Sequence, residues 1–296
     1  MTIKWYPGHM SKAREQIKDL LRKIDVIIEV LDARLPYSSS NHLLEELRRN
    51  KPCIKVLNKN DLADPVVTQA WVNYLQRSTG VRALPLSAKQ LPQAKLVIKL
   101  CKQLVPNRGN NPGYPIRAMV CGIPNVGKST LINTLAGKCI AKVGDKPAIT
   151  VTTQQIDLRS SGILLFDTPG ILWPVMSNQT GAYRLATSGA IGANALDYTN
   201  VGLFAAEFMM RNYPEMLKNR YKLTEWPETP HDAVEAIGRH LGCLVGGGVV
   251  NFNRAAEAFI RELRAAKIGR VSLEEPRTAA DDDANVPKDL SLSIDF

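Results

Sequence analysis

A chain of 296 residues, 45% hydrophobic and 22% charged, carries enough apolar material for more than one packed unit, and its composition is neither disordered nor collagen-like. Its 38 Lys and Arg against 28 Asp and Glu leave a formal charge of +10, and five scattered cysteines without a C-x-x-C pair argue against a disulfide framework or a four-cysteine zinc site. No apolar run reaches the ~18–20 residues of a membrane span. The first twenty residues interleave Lys4, Lys12, Arg14, Glu15, Lys18 and Asp19 with no apolar h-region, so a cytoplasmic protein with no membrane partner is expected, taken as a monomer.

In chain order, an amphipathic stretch near residues 10–23 precedes a β-branched run, 25–32, that reads as a buried strand. A helix is expected over 41–50, a strand over 52–57, a helix over 65–78, a strand over 81–86 and a helix over 93–105. Such alternation predicts crossover units and a mostly parallel sheet with helices on both faces. Residues 106–115, with three prolines and two glycines, form a connector. A strand over 116–121 then runs into a glycine-rich loop and a helix near 129–135, and 153–158 and 162–166 read as two further strands. Beyond Gly170 the periodicity turns helical, with helices expected over 181–196, 200–218, 231–241 and 252–267. Residues 271–296 hold two basic and seven acidic side chains, Asp281-Asp-Asp283 among them, and read as a disordered acidic tail. The preceding 270 residues therefore stand at +15. Such a field suits a polyanion such as nucleic acid through counterion release. It equally suits simple solubility, because no Lys/Arg block exceeds a pair, and charge alone leaves both open.

Gly122-Ile-Pro-Asn-Val-Gly127-Lys128-Ser129 matches G-x-x-x-x-G-K-[ST] at every fixed position, after an apolar strand and opening a helix. Here the main chain of Asn125, Val126, Gly127, Lys128, Ser129 and Thr130 can point N–H groups at phosphate oxygens, helped by the helix N-terminus. Lys128 is expected to reach the β/γ-phosphates and Ser129 to bind Mg²⁺. Asp167-Thr-Pro-Gly170 follows another apolar run. An aspartate at a strand end can hold Mg²⁺, directly or through water, and the Gly170 N–H can sense a γ-phosphate. Between the two motifs, Thr150, Thr152 and Thr153 offer hydroxyls for a loop that closes on metal and phosphate.

Asn58-Lys59-Asn60-Asp61, at a strand end, fits N-K-x-D. A carboxylate there accepts both N1–H and the exocyclic amine of guanine, a donor pair that adenine lacks. Ser87-Ala88-Lys89, after the third strand, is the usual companion against the guanine O6. The N-K-x-D tetrapeptide alone could be a helix-capping turn; with S-A-K 29 residues later at another strand end, the two point to GTP and GDP rather than adenine nucleotides.

The motif order is reversed from that of ordinary GTPases, where the phosphate loop comes first. One nucleotide-binding domain can still form if its former ends are joined, and the 106–115 connector sits where that join would fall. The expected fold is therefore α/β: a circularly permuted P-loop G-domain over 1–174, then a smaller all-α domain over 175–270, then the tail.

This arrangement resembles the circularly permuted GTPases of the YlqF/YawG family. The resemblance includes Trp5-Tyr-Pro-Gly-His-Met10, Asp32-Ala-Arg-Leu-Pro36, Glu235-Ala-Ile-Gly-Arg239 and Gly269-Arg-Val-Ser-Leu273. It implies GTP hydrolysis stimulated by a large ribosomal subunit precursor, with the helical domain contacting rRNA. The position that holds a water-orienting glutamine in Ras-like enzymes is Ile171. The resemblance suggests His9 as the catalytic group instead, against the plainer reading of a histidine packed beside Trp5. Asn125 resembles the potassium-coordinating asparagine of relatives, so K⁺ joins Mg²⁺ as a candidate cofactor. The family's P-G-x-T switch is here Pro147-Ala-Ile-Thr150, and Ala148 resists positive φ. Thr150 is taken as the Mg²⁺ ligand, with Thr152 as its rival.

Overall fold

The structure, a computed structural model, describes residues 17–109, 113–141, 154–158, 161–168, 179–191 and 197–276. Its centre is a six-stranded sheet. Strands β1 (Val26–Asp32) and β2 (Cys53–Asn58) are buried at every position, as expected of runs rich in Val, Ile and Leu covered on both faces. They are joined by β3 (Val81–Pro85), β4 (Ile116–Cys121), β5 (Gln154–Asp157) and β6 (Ile163–Asp167), in the order β3-β2-β1-β4-β6-β5. Every adjacent pair is parallel except β5 with β6.

Helix α1, described over 17–23, α2 (His42–Arg48) and α3 (Pro65–Leu75) cover one face, where Leu21, Leu44 and Trp71 pack on Ile27, Cys53 and Leu57. On the other face α4 (Leu91–Leu104) and α5 (Lys128–Ala136) set Val97, Cys101, Leu131 and Ile132 against Ile54, Ala118 and Val120. Alternate residues of each strand supply the two faces, which is the period-2 geometry of a pleated strand. From β1 the chain winds outward through β2 to β3. From β4 it winds the other way. That reversal opens a crevice at the carboxyl ends of β1 and β4, the place where open α/β sheets receive ligands.

The later chain forms α6 (Gln179–Ser188), α7 (Tyr198–Asn212), α8 (Pro214–Tyr221), α9 (Pro230–His240) and α10 (Phe252–Arg264). Ala255, Ala256, Phe259, Ile260 and Leu263 give α10 one buried stripe. It crosses α7 so closely that a Cβ on Gly202 would lie 2.6 Å from the Ala256 Cβ. Two expected helices differ. The one over 181–196 stops at Ser188, because Gly189 takes φ 87 and leaves the helical region. The one over 200–218 is two helices, since Pro214 cannot continue α7 and instead starts α8.

The expected acidic tail also begins too early. Val271, Ser272, Leu273 and Glu274 are buried. Val271 N–H donates to Leu62 O at 3.1 Å, Leu273 N–H to Arg34 O at 2.7 Å, and the Trp71 indole to Glu274 O at 3.0 Å. The Glu274 carboxylate accepts from Ser38 Oγ at 2.7 Å and from the Tyr37 N–H. The two leading apolar side chains and these bonds outweigh the acidic composition that suggested disorder; residues 277–296 lie outside the described residues. The expected boundary at 174/175 also falls outside them. No helix among the described residues is long and apolar enough to cross a membrane.

Candidate functional site

A cavity of about 440 Å³ opens at the β1/β4 crevice. It is lined by Asn58, Lys59, Asp61, Ser87, Ala88 and Lys89 on one side and by Asn125, Gly127 and Thr130 on another. Its volume lies in the range of small-molecule sites, ~300–1,000 Å³. Asn58–Asp61 and Asn125–Thr130, 64 residues or more apart in the chain, thus face one space.

Asn58 joins them. Its Nδ2 donates to Val126 O at 2.6 Å, and its Oδ1 accepts from the Ala88 N–H at 2.8 Å. One side chain so aligns the phosphate loop, the N-K-x-D turn and the S-A-K turn. The close approach explains Gly127: it takes φ 96, and an added Cβ would lie 2.2 Å from Asn58 Nδ2. Lys59, itself at φ 59, crosses to the loop and donates to Asn125 O at 2.8 Å. Its ammonium also meets Asp32 Oδ2 at 3.0 Å. Asp32 in turn is clasped by Arg34 through Nε at 2.9 Å and Nη2 at 2.7 Å, a two-pronged pair.

Burial alone would raise the Asp32 carboxyl, but the Arg34 guanidinium and Lys59 ammonium hold it well below the ordinary carboxylate range. The unfolded chain therefore binds this proton more readily than the folded one. Its stabilisation is complete above the unfolded value of about 3.9 and is lost as pH falls below that. Asp32→Asn is expected to cost about 3–5 kcal/mol at neutral pH, the range for breaking a buried pair from one side. The loss of stability between about pH 5 and pH 2 should be shallower than in the parent. Urea melts across that range check both.

At the start of α5, Lys128 is buried and its ammonium contacts Asp167 Oδ1. Asp167 lies at the carboxyl end of β6, paired in register with Val120 of β4, which fixes its place beside the loop. Burial pushes its carboxyl above the ordinary value, and Lys128 only partly offsets this. The Asp167 Oδ2 is buried with no hydrogen-bond partner among the described residues. An unpartnered carboxylate oxygen, on a side chain that contacts the residue preceding Ser129, suits a hard divalent cation. Among the described residues no group of three or more His, Cys, Asp or Glu could hold a metal by itself. That fits Mg²⁺ carried mainly by substrate phosphates and water, with one or two protein oxygens.

Of the expected site residues, Asn58, Lys59, Asp61, Ser87, Ala88, Lys89, Asn125, Gly127 and Thr130 line the cavity. Val126, Lys128 and Asp167 stand beside it through the contacts above, and Ser129 follows Lys128 in the first turn of α5. His9, Thr150 and Gly170 lie outside the described residues. Reading the sequence missed Ser188, Gly189, Ile191 and Arg264, which also line the cavity. It assigned no role to Asp32 or Arg34, although Asp32–Pro36 stood out as a family element. The Asn125 Nδ2 is engaged with Gly189 O at 3.2 Å.

Residues 117–202 match the family described as 50S ribosome-binding GTPase. Ribosome biogenesis GTPase A of Priestia megaterium is 45% identical over 286 residues, covering 94% of this chain and 99% of that protein. This chain belongs to the ribosome biogenesis GTPase A family. It is a GTPase, with GTP and GDP as its nucleotides. The ribosome biogenesis GTPase A of Thermotoga maritima is 33% identical over 93% of this chain and 95% of its own length. A GDP-bound structure of TM YlqF superposes with TM-score 0.63 at 28% identity, over 88% of this chain and 99% of that one. GNP-bound YlqF from T. maritima gives TM-score 0.61 at the same identity, over 90% and 98%. The two YlqF structures thus share the α/β fold described here, with its six-stranded, mostly parallel sheet.

Proposed function

We propose that this GTPase is a cytoplasmic, monomeric switch in late assembly of the large (50S) ribosomal subunit, binding rRNA of the precursor particle. The observation that carries the reading is the +15 charge of the first 270 residues, in a chain whose relatives are named for ribosome biogenesis. In this reading Asp61 takes the guanine edge, with Asn58, Lys59 and Ser87–Lys89 shaping its slot. The phosphate loop, Asn125 to Thr130, holds the phosphates with Lys128, and Gly170 senses the γ-phosphate. Ser129, Asp167 and Thr150 would hold Mg²⁺, which would supply charge neutralisation at the phosphates. Asn125 is the K⁺ candidate. With Ile171 unable to align water, His9 is the group that orients it for attack.

Binding of large-subunit rRNA, followed by filter retention across a salt series, tests the partner. The expected log–log slope is steeper than about −4, corresponding to five or more phosphates neutralised. A flat, weak response overturns the RNA reading in favour of a switch with a protein target alone. For hydrolysis, His9→Ala is expected to keep nucleotide affinity while turnover stimulated by 50S particles falls by about 10²–10⁴, the range for a lost acid–base group. Stimulated turnover at the parental rate would make His9 structural.

A further inference from the structure

The end of α6 is held by side chains from three distant parts of the chain. Arg264, in the last turn of α10, donates Nε to Thr187 O at 3.0 Å and Nη2 to Ala186 O at 2.6 Å. Arg34 donates Nη2 to Ser188 O at 2.9 Å, and Asn125 of the phosphate loop donates Nδ2 to Gly189 O at 3.2 Å. Four successive carbonyls at the negative end of a helix thus meet two guanidinium groups and one amide. The clamp is tight: a Cβ on Gly189 would lie 3.2 Å from Arg264 Nε.

A helix cap alone would not need to stand at the ligand cavity. This one does. Ser188, Gly189, Ile191 and Arg264 line the same cavity as the Asp61 turn and the phosphate loop. A molecule that fills this cavity between base reader and phosphate loop has these residues on its walls.

The geometry points to the α6 end, clamped by Arg264, as a nucleotide-contacting wall supplied by the helical region, one that governs how long GDP and GTP stay bound. The inference rests on the reading of this cavity as the guanine-nucleotide site. It assigns Arg264 as a positioning residue that acts through the Ala186 and Thr187 carbonyls. By linkage, a partner that draws α10 away from α6 loosens the nucleotide, and nucleotide opposes that partner by the same factor.

The test uses the full chain and fluorescent (mant) GDP in stopped flow. Arg264→Ala is expected to speed GDP release by about tenfold or more with little change in association rate, the usual partition for an altered contact. Arg264→Lys, which keeps the charge but not the two-pronged grip, should recover part of the slow release. In the parent, hydrogen exchange should show residues 187–191 protected by GDP along with 58–61 and 122–130. An Arg264→Ala protein that is folded by circular dichroism yet releases GDP at the parental rate overturns the wall and leaves only a helix cap. If that variant does not fold, absence of GDP-dependent protection at 187–191 in the parent overturns it equally. Loss of the cavity reading looks different: GDP then protects neither 58–61 nor 122–130.

Discussion

Lys128→Ala is expected to weaken GTP binding by about 10- to 100-fold, the loss of one charge-assisted hydrogen bond at about 1.5–3 kcal/mol. It should also slow turnover by a further ~10²–10³, because charge growing on the phosphate oxygens would lack a preorganised donor. The second consequence concerns the protein without nucleotide. Lys128 is the ammonium partner of Asp167, whose buried carboxyl already sits above its ordinary value. Removing that cation leaves the folded state holding the Asp167 proton still more readily than the unfolded chain. Such a group adds stability as pH falls and loses it as pH rises through its folded value. The variant should therefore be destabilised at pH 7 and regain part of the loss on acidification toward about pH 5, opposite in sign to the contribution of Asp32. Calorimetric titration with GDP and GTP, and urea melts at the two pH values, measure these effects. Parental GDP affinity would show that Lys128 is not at the phosphates.

Asp61→Asn is expected to lower GDP affinity by about 10²–10⁴, two charge-assisted hydrogen bonds at about 1.5–3 kcal/mol each. The carboxylate is acceptor-only, whereas the amide presents two N–H groups toward two donors of guanine. Xanthine carries a carbonyl in place of the exocyclic amine, so the same variant should gain affinity for XDP. This exchange of preference separates base reading from simple damage. Asp61 is exposed at the cavity, on the turn just beyond the positive-φ Lys59, so its replacement disturbs no core packing. Calorimetry with GDP and XDP on parent and variant decides it. A fall for both nucleotides alike would mean a deformed turn, and no change for either would remove Asp61 from the site.

The difference between what could be read early and what could not has a physical pattern. Strands β1, β2 and β4 announce themselves because burial on both faces demands mostly apolar runs, here broken only by Glu29, Lys55 and Arg117 between their ends, a local property. The phosphate loop is legible for the same reason: glycines at 122 and 127 and the following Lys128 act within one turn of chain. The reversed motif order was enough to imply a joined, permuted domain, since the two halves of a nucleotide site are incomplete alone. By contrast, Asp32 stood out only as the start of a family element, with no role assigned to it. Only its two-pronged bond to Arg34 and its contact with Lys59 reveal a part in the site.

What the amino-acid order determined by itself is the chemistry and the sheet: which groups can grip phosphate, which can read guanine, and which segments must be buried. Tertiary structure alone decided how the helical region meets that chemistry. Arg264 finds Ala186 O across 78 residues, Arg34 finds Ser188 O across 154, and Glu274 finds Ser38 across 236. Contacts of that span carry no periodicity and no spacing rule. They exist because tertiary packing brings distant segments together: the close approach of α10 to α7 at Gly202 and Ala256 helps place Arg264, while Arg34 and Glu274 reach their partners from other segments.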